Sequence, residues 1–298
     1  MQFPRILLIG AATVGIFSTI SIACHSSQIQ DRRNQDEYSK LAYNAAKCID
    51  ENDFENAIRL LQKAITVARK RSSSEEAALN SSLSLAYCLV QTKSYAAAEN
   101  ILNQIESDLQ KKPAEFNPAL SIRLRRRKVE LYLAMEQASK AANEQEKLCD
   151  LYRKNVGLMV VHNFAEMVTL ADLEREAGNV DKSYEISKEA EKLMTRFHLA
   201  KDAQLWQHLY ANHGINACRK GFFDEANHAF EKGLEHTSSD EVDFKAHFYS
   251  LLVICNKAAK NERLESQWLS RLNKEISKEK IQKWLDQSRS ELKTDYSF

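Results

Sequence analysis

"NDFENAIRLLQKAI" (Asn52–Ile65) keeps two alanines, Ala57 and Ala64, seven residues apart among bulky neighbours, with Phe54 three residues before the first. Seven residues are about two helical turns, so both methyl groups fall on one face. Small side chains there let a second helix come close, while an aromatic or leucine three to four residues away fills the groove beside the contact.

The pattern returns along the chain. "KSYAAAENILNQI" (Lys93–Ile105) places Tyr95, Ala98, Leu102 and Ile105 at the spacing of Phe54, Ala57, Leu61 and Ala64. "QASKAANEQEKL" (Gln137–Leu148) supplies Ala138, Ala141 and Leu148, and "GNVDKSYEISKEA" (Gly178–Ala190) supplies Val180, Ser183, Ser187 and Ala190. "GFFDEANHAFEKGL" (Gly221–Leu234) supplies Phe223, Ala226, Phe230 and Gly233. The anchoring small residue therefore stands at 57, 98, 141, 183 and 226, in steps of 41, 43, 42 and 43. Twelve residues upstream of four of these anchors lie Ala45, Ala86, Ala171 and Gly214, with the larger Val129 in the third unit. Each unit reads as two antiparallel helices packed through small residues. Such a pair leaves apolar surface that only the next pair can cover, so the units form an array.

These units resemble tetratricopeptide repeats. Gly214, Gly221, Phe223, Ala226 and Phe230 carry the likeness most fully, followed by Gly178 with Ala171 and Ala190, and Phe54 with Ala57 and Ala64. The period near 42 is similar to that of the longer, kinesin-light-chain type of repeat. The resemblance spans about residues 38 to 240, with a degenerate sixth unit beyond, and implies an all-α, right-handed solenoid of about six helix pairs.

Composition agrees. Seven glycines and three prolines in 298 residues leave few tight turns, which favours helices joined by short polar links. A net charge of +1, with acids and bases interspersed, lacks the basic stripe of a nucleic-acid binder. Ser73-Ser74-Glu75-Glu76 and Ser238-Ser239-Asp240-Glu241 read as capping boxes opening a unit, and Asn117-Pro118 as an N-cap followed by proline at the first helical position. The repeats are expected over 38–260 and one capping helix over 261–298, with Leu264, Trp268, Leu272 and Ile276 as its docked stripe.

"MQFPRILLIGAATVGIFSTISIAC" (Met1–Cys24) has one cation, Arg5, an uncharged apolar centre and small residues before a cysteine. That order fits an export signal, and its end resembles a bacterial lipoprotein site with Cys24 as the lipidated residue. An uncleaved anchor is the alternative, since Ile6–Ala23 gives about 27 Å of helix. On either reading 1–23 tethers the chain to a membrane, and 24–37 is a polar linker. The lipoprotein reading places the repeats in the bacterial envelope, facing the periplasm or exterior; the anchor reading places them at the inner membrane's cytoplasmic face. The remaining five cysteines (Cys48, Cys88, Cys149, Cys218, Cys255) include no C-x-x-C pair, so a disulfide framework or zinc site is not expected. Five free thiols fit an oxidising compartment poorly unless they are buried.

Catalytic signatures do not assemble. G-x-S-x-G, H-E-x-x-H and a glycine-rich phosphate loop are missing, and His208 and His213, five residues apart, point to opposed helix faces. No enzyme activity, cofactor or metal is expected. In "IRLRRRK" (Ile122–Lys128), Arg123 and Arg126 share a helix face suited to a carboxylate, phosphate or acidic peptide. The resemblance implies that this face lines an inner groove together with Tyr87, Asp172, Arg175 and His208; Ser39 falls there too. The lysine-and-asparagine clamp of the chaperone-binding subfamily is replaced by Ala42 and Ala46. The expected function is a membrane-tethered scaffold that binds a protein or peptide in the groove, or alternatively a cytoplasmic-facing regulatory sensor.

Overall fold

The computed structural model describes residues 37–69, 75–111, 118–154, 160–197 and 203–293. The signal or anchor over 1–23, Cys24, the linker up to 36, Ser73, Ser74 and Asn117 lie outside the described residues. Among the described residues there are thirteen helices and no strand.

The chain divides into two compact units, Met1–Met135 and Glu136–Phe298. The first contains α1 (Glu37–Asp50), α2 (Phe54–Arg69), α3 (Glu75–Gln91), α4 (Tyr95–Gln110) and α5 (Pro118–Ala134). The second contains α6 (Ala138–Lys154), α7 (Val160–Glu176), α8 (Val180–Phe197), α9 (Ala203–Arg219), α10 (Phe223–Glu235), α11 (Val242–Ala258), α12 (Glu262–Glu275) and α13 (Lys278–Leu292). Helices pair in order: α1 with α2, α3 with α4, α7 with α8, α9 with α10 and α11 with α12. α5 and α6, the third pair by sequence, belong one to each unit. Proline opens α5 at its first helical position, where the missing N–H costs nothing.

One backbone device sets the period. The link inside each pair contains a residue in the left-handed region: Asn52, Lys93, Glu136, Gly178, Gly221 and Lys260, with φ between 57° and 90°. Their spacings are 41, 43, 42, 43 and 39 residues, and the first five stand five residues before the small anchors. Around Asn52 the turn closes by two main-chain bonds, Asn52 N–H to Ile49 C=O (3.0 Å) and Asp53 N–H to Cys48 C=O (2.7 Å). The same two bonds recur at Lys93 and Ser94, Gly178 and Asn179, Gly221 and Phe222, and Lys260 and Asn261. This is the Schellman end of a helix, and it satisfies carbonyls that the finishing helix would otherwise leave open.

Within each unit the anchors other than Ala141 lie where the two helices of a pair meet. In the first unit Ala45, Ala57, Ala64, Ala86 and Ala98 are all 0% exposed. Ala45 and Ala57 share a cluster with Leu61, Ile65, Leu85 and Cys88. In the second unit Ala141, Ala171, Ser183 and Ala226 are buried, and the Ser183 hydroxyl donates to the main-chain carbonyl of Ala171 on the facing helix. Gly214 and Gly233 are notches. A Cβ on Gly214 would stand 2.3 Å from the Phe230 ring, and one on Gly233 would stand 2.2 Å from the Phe248 ring. The rings of α10 and α11 thus occupy the space of the missing methyl groups.

In the second, fifth and sixth pairs the first helix is enclosed more completely than the second, whereas in the first pair α1 buries only Ala45 and α2 buries five residues. In α9 every residue from Leu205 to Cys218 except His208 is buried, whereas α10 buries only Ala226, Ala229, Phe230 and Gly233. Helices buried on all sides are apolar or internally bonded all round, and outer helices keep one wet face.

Two local expectations are corrected. No single capping helix forms over 261–298: Ile276 and Ser277 are extended (φ −135°, ψ 159° and φ −66°, ψ 150°), which splits the segment in two. Leu264, Trp268 and Leu272 belong to α12, the second helix of a sixth pair capped by the Asn261 side chain, while Ile276 lies beyond its end. The additional C-terminal helix is α13. At 238–241 the Glu241 carboxylate does reach back to the Ser238 N–H (2.8 Å), but the helix starts only at Val242. The box closes a turn and leaves α11 without a side-chain cap.

Candidate docking surface

Counting back from the left-handed residue of each link gives a common register for the first helices. Thirteen residues before it come Ser39, Asn80, Arg123, Ala165, His208 and His247. All six are half-buried.

In the first unit this face is knitted sideways. Tyr38 on α1 bonds through its hydroxyl to Ser81 (3.1 Å) and the Ala77 carbonyl (3.1 Å) of α3. The Arg123 guanidinium on α5 donates to the Asn80 Oδ1 of α3, its register equivalent 43 residues earlier. Burial pulls the Arg123 pKa below its usual value, and the neighbouring Arg127 charge adds to the effect. Tyr87 is half-buried, with the Phe54 ring edge-on at 6.1 Å and the Arg127 guanidinium 4.5 Å above its face. Its phenol pKa is raised, chiefly by burial.

The basic run on α5 therefore divides. Arg125 (2.5 Å) and Lys128 both pair with Glu106 of α4, and Lys128, only 4% exposed, also donates to Asn103 Oδ1 at 2.9 Å. Burial alone would raise the Glu106 pKa, but the two cations hold it below the usual range. Arg127 pairs with Glu130 at 2.5 Å. Arg126 is half-buried and also engaged within the protein. Arg123 and Arg126 share a helix side, as their three-residue spacing requires, but Arg123 already holds an internal partner.

In the second unit Asp172 and Arg175 form an ion pair one turn apart on α7. The Arg175 side chain is 11% exposed and its Nε is buried without a partner. Arg219, at the end of α9, donates from Nε (2.7 Å) and Nη2 to the main-chain carbonyl of Glu291, while its Nη1 is buried without a partner. Burial and then the Arg175 charge depress the Arg219 pKa to about 10. His208 packs edge-on against Phe244 at 5.8 Å. The six predicted groove residues thus fall into two sets, Tyr87, Arg123 and Arg126 in one unit and Asp172, Arg175 and His208 in the other. Arg219, His247 and Ser250 share the same helix faces and went unnoticed in the sequence. His247 stands thirteen residues before Lys260, a register that only the turn geometry exposes.

His213 is 5% exposed and bonds both ring nitrogens to carboxylates, Nδ1 to Glu191 at 3.1 Å and Nε2 to Glu225 at 2.8 Å. Tyr184 donates to Glu225 at 2.8 Å, and Lys232 to Glu191 at 3.2 Å. Burial disfavours the imidazolium, but the two carboxylates outweigh it and raise the His213 pKa. No group of three or more histidine, cysteine or carboxylate side chains suited to a metal occurs among the described residues. Nor is any helix among them long and apolar enough to cross a membrane.

No protein-family profile and no curated protein matches the sequence. Solved structures do match in fold. The apo form of RapI superposes with a TM-score of 0.62 at 12% identity, covering 91% of this chain and 80% of that one. BtubC (BKLC) from P. vanneervenii superposes with a TM-score of 0.57 at 17% identity, over 74% of this chain and 90% of that one. A putative kinesin light chain from Podosopora anserina, described as nearly identical TPR-like repeats, gives 0.54 at 16% identity over 68% and 97%. The chain has the fold of these tetratricopeptide-like helical repeats.

Proposed function

We propose that this protein is a non-enzymatic scaffold that binds a protein or peptide on the faces of its first helices, tethered to the bacterial envelope membrane through its N-terminal segment. The observation that carries the reading is the register: a half-buried residue recurs at one position of all six first helices, and at four of those positions it is a hydrogen-bonding or charged side chain other than serine. Within each unit these positions offer both shape and polar anchoring to an extended or helical segment. Tyr87 and Arg123 contribute aromatic and guanidinium surface in the first unit, and Asp172, Arg175 and His208 contribute in the second. The apolar, singly charged leader ending in Ala23-Cys24 supports the tether.

The test is recovery of partners from envelope fractions by the full chain and by Arg123→Glu/Arg126→Glu. Loss of specific partners is expected, and unchanged recovery discards this surface.

A second reading is favoured by the thiols. Cys48, Cys88, Cys149, Cys218 and Cys255 are all free, and burial raises the Cys88 pKa to about 11. Free thiols suit a reducing compartment, which would make the chain a cytoplasmic-facing regulatory module on an uncleaved anchor. Palmitate labelling that depends on Cys24 supports the lipoprotein. Protease protection of the repeats in intact spheroplasts supports the anchor.

A further inference from the structure

α13 does not extend the stack. A seventh first helix would lodge against α11 and α12 in the way that α9 lodges against α7 and α8. α13 instead packs on α11 and reaches back to α9, while barely touching α12. The register shows which surface it covers. Six residues before the left-handed turn residue stand Ala46, Tyr87, Glu130 and Asp172 in the first four pairs, all half-buried. In the fifth and sixth pairs the same position is Ile215 and Ile254, 2% and 0% exposed. The face that is partly open elsewhere is closed where α13 lies.

The contacts combine an apolar stripe with polar anchors. Ile281, Leu285 and Leu292 form the buried stripe of α13, and Trp284 stacks obliquely on His247 with centroids 5.7 Å apart. His247, the register equivalent of Arg123 and His208, bonds Glu291 Oε2 at 2.7 Å. Ser250, the equivalent of Arg126, shares a 2.6 Å hydrogen bond with Ser288. Arg219 takes the Glu291 carbonyl, so a cation meets the negative end of the docked helix.

We infer that this face of α9 and α11 is a receptor for an amphipathic helix, that α13 is its resident occupant, and that a partner helix enters by displacing α13. The inference rests on the first-helix faces being the docking surface. The partner helix has an apolar stripe of the Ile281, Leu285 and Leu292 kind, a hydroxyl opposite Ser250, and a carboxylate near its C-terminal end for His247 and Arg219. Two features permit exchange. α13 hangs on the two-residue extended link Ile276–Ser277, with little anchorage on α12. The docked state also leaves Arg219 Nη1 buried without an acceptor, so a helix that offers one makes a bond that α13 does not.

The test uses a fluorescein-labelled peptide of Ser277–Lys293 titrated by anisotropy against the full chain. Leu285→Asp/Leu292→Asp, which releases α13, is expected to bind the peptide at least tenfold more tightly than wild type. Ser250→Cys/Ser288→Cys is expected to lose binding when oxidised and regain it on reduction. Arg219→Ala/His247→Ala in the released chain is expected to weaken binding at least fivefold. Equal affinity of wild-type, released and locked chains overturns the inference, as does no binding by a released chain of wild-type helix content. Should that chain fail to fold, Glu291→Lys leaves the apolar stripe intact and is expected to tighten peptide binding. Wild-type affinity in Glu291→Lys overturns the inference equally. Partner recovery that depends on Arg123 and Arg126 but ignores the lock refutes the displacement and leaves the docking surface standing. Peptide exchange without any such dependence does the reverse for the first unit.

Discussion

Replacing Gly214 with alanine adds one methyl group, and two opposed effects decide its sign. In the interior of a helix, glycine to alanine is worth about 1 kcal/mol of stabilisation. Against that, the new Cβ would lie 2.3, 2.6 and 2.8 Å from Cε1, Cδ1 and Cζ of Phe230, whose side chain is 0% exposed. Carbon atoms rest roughly 3.5–4.0 Å apart, so the ring must retreat by about 1 Å into a filled core, or α9 and α10 must separate. Overpacking costs about 1–3 kcal/mol, and three clashing ring atoms place this site at the upper end. The expected net loss is about 2 kcal/mol, read as a lower urea midpoint for the full chain. Phe230→Leu should relieve the clash, giving a double-mutant coupling of about 1 kcal/mol or more. A variant more stable than wild type by about 1 kcal/mol would show helix propensity acting alone, and would refute the ring-in-notch packing. Gly221→Ala is the contrasting control. No atom lies within 4 Å of its Cβ, but φ is +80°, so a loss of about 1 kcal/mol should appear that Phe230→Leu does not rescue.

Other outcomes follow from the turns and the buried histidine. Lys93→Gly, Glu136→Gly and Lys260→Gly place glycine where φ is 57–59°. Each should stabilise by about 0.5–1 kcal/mol in thermal or urea melts, the left-handed penalty slightly exceeding the entropy that glycine loses on folding. The His213 pKa is raised, so its contribution is fully present below the unfolded value of about 6.5 and fades as pH rises through the higher folded value. Glu191 is held down to about 2, first by its hydrogen bond with His213, so its contribution is present above its unfolded pKa and is lost as pH falls towards 2. The margin of wild type over His213→Gln in urea melts should therefore be widest between roughly pH 5 and 6.5 and should narrow on either side. A margin flat from pH 5 to 9 would remove the two-carboxylate clamp.

The repeat was legible because packing and turn geometry share one period. Small residues at 57, 98, 141, 183 and 226 mark the helix contacts, and each follows by five the left-handed residue that closes the link. That turn residue hid behind its chemistry: asparagine, lysine, glutamate and glycine all fill it, so no single letter recurs. The division of 261–298 was not legible, since the stripe of α12 passes into that of α13 without a proline or glycine to mark the break. The fate of the α5 cations was also hidden. Glu106 and Asn80 lie far from them in sequence, and only tertiary packing shows which arginine meets which acceptor. The docking of α13 depended on the same kind of information, because an amphipathic stripe indicates that a helix is covered but not by what.

Internal neutralisation on α5 has a kinetic consequence. Three of its five clustered cations, Arg125, Arg127 and Lys128, spend their charge on Glu106 and Glu130, and the whole chain carries only +1. Little field then reaches into solvent to steer an acidic molecule towards this helix. Encounters run at the unguided rate of about 10⁵–10⁶ M⁻¹s⁻¹ and respond weakly to ionic strength. Discrimination between candidates is left to how long each one stays.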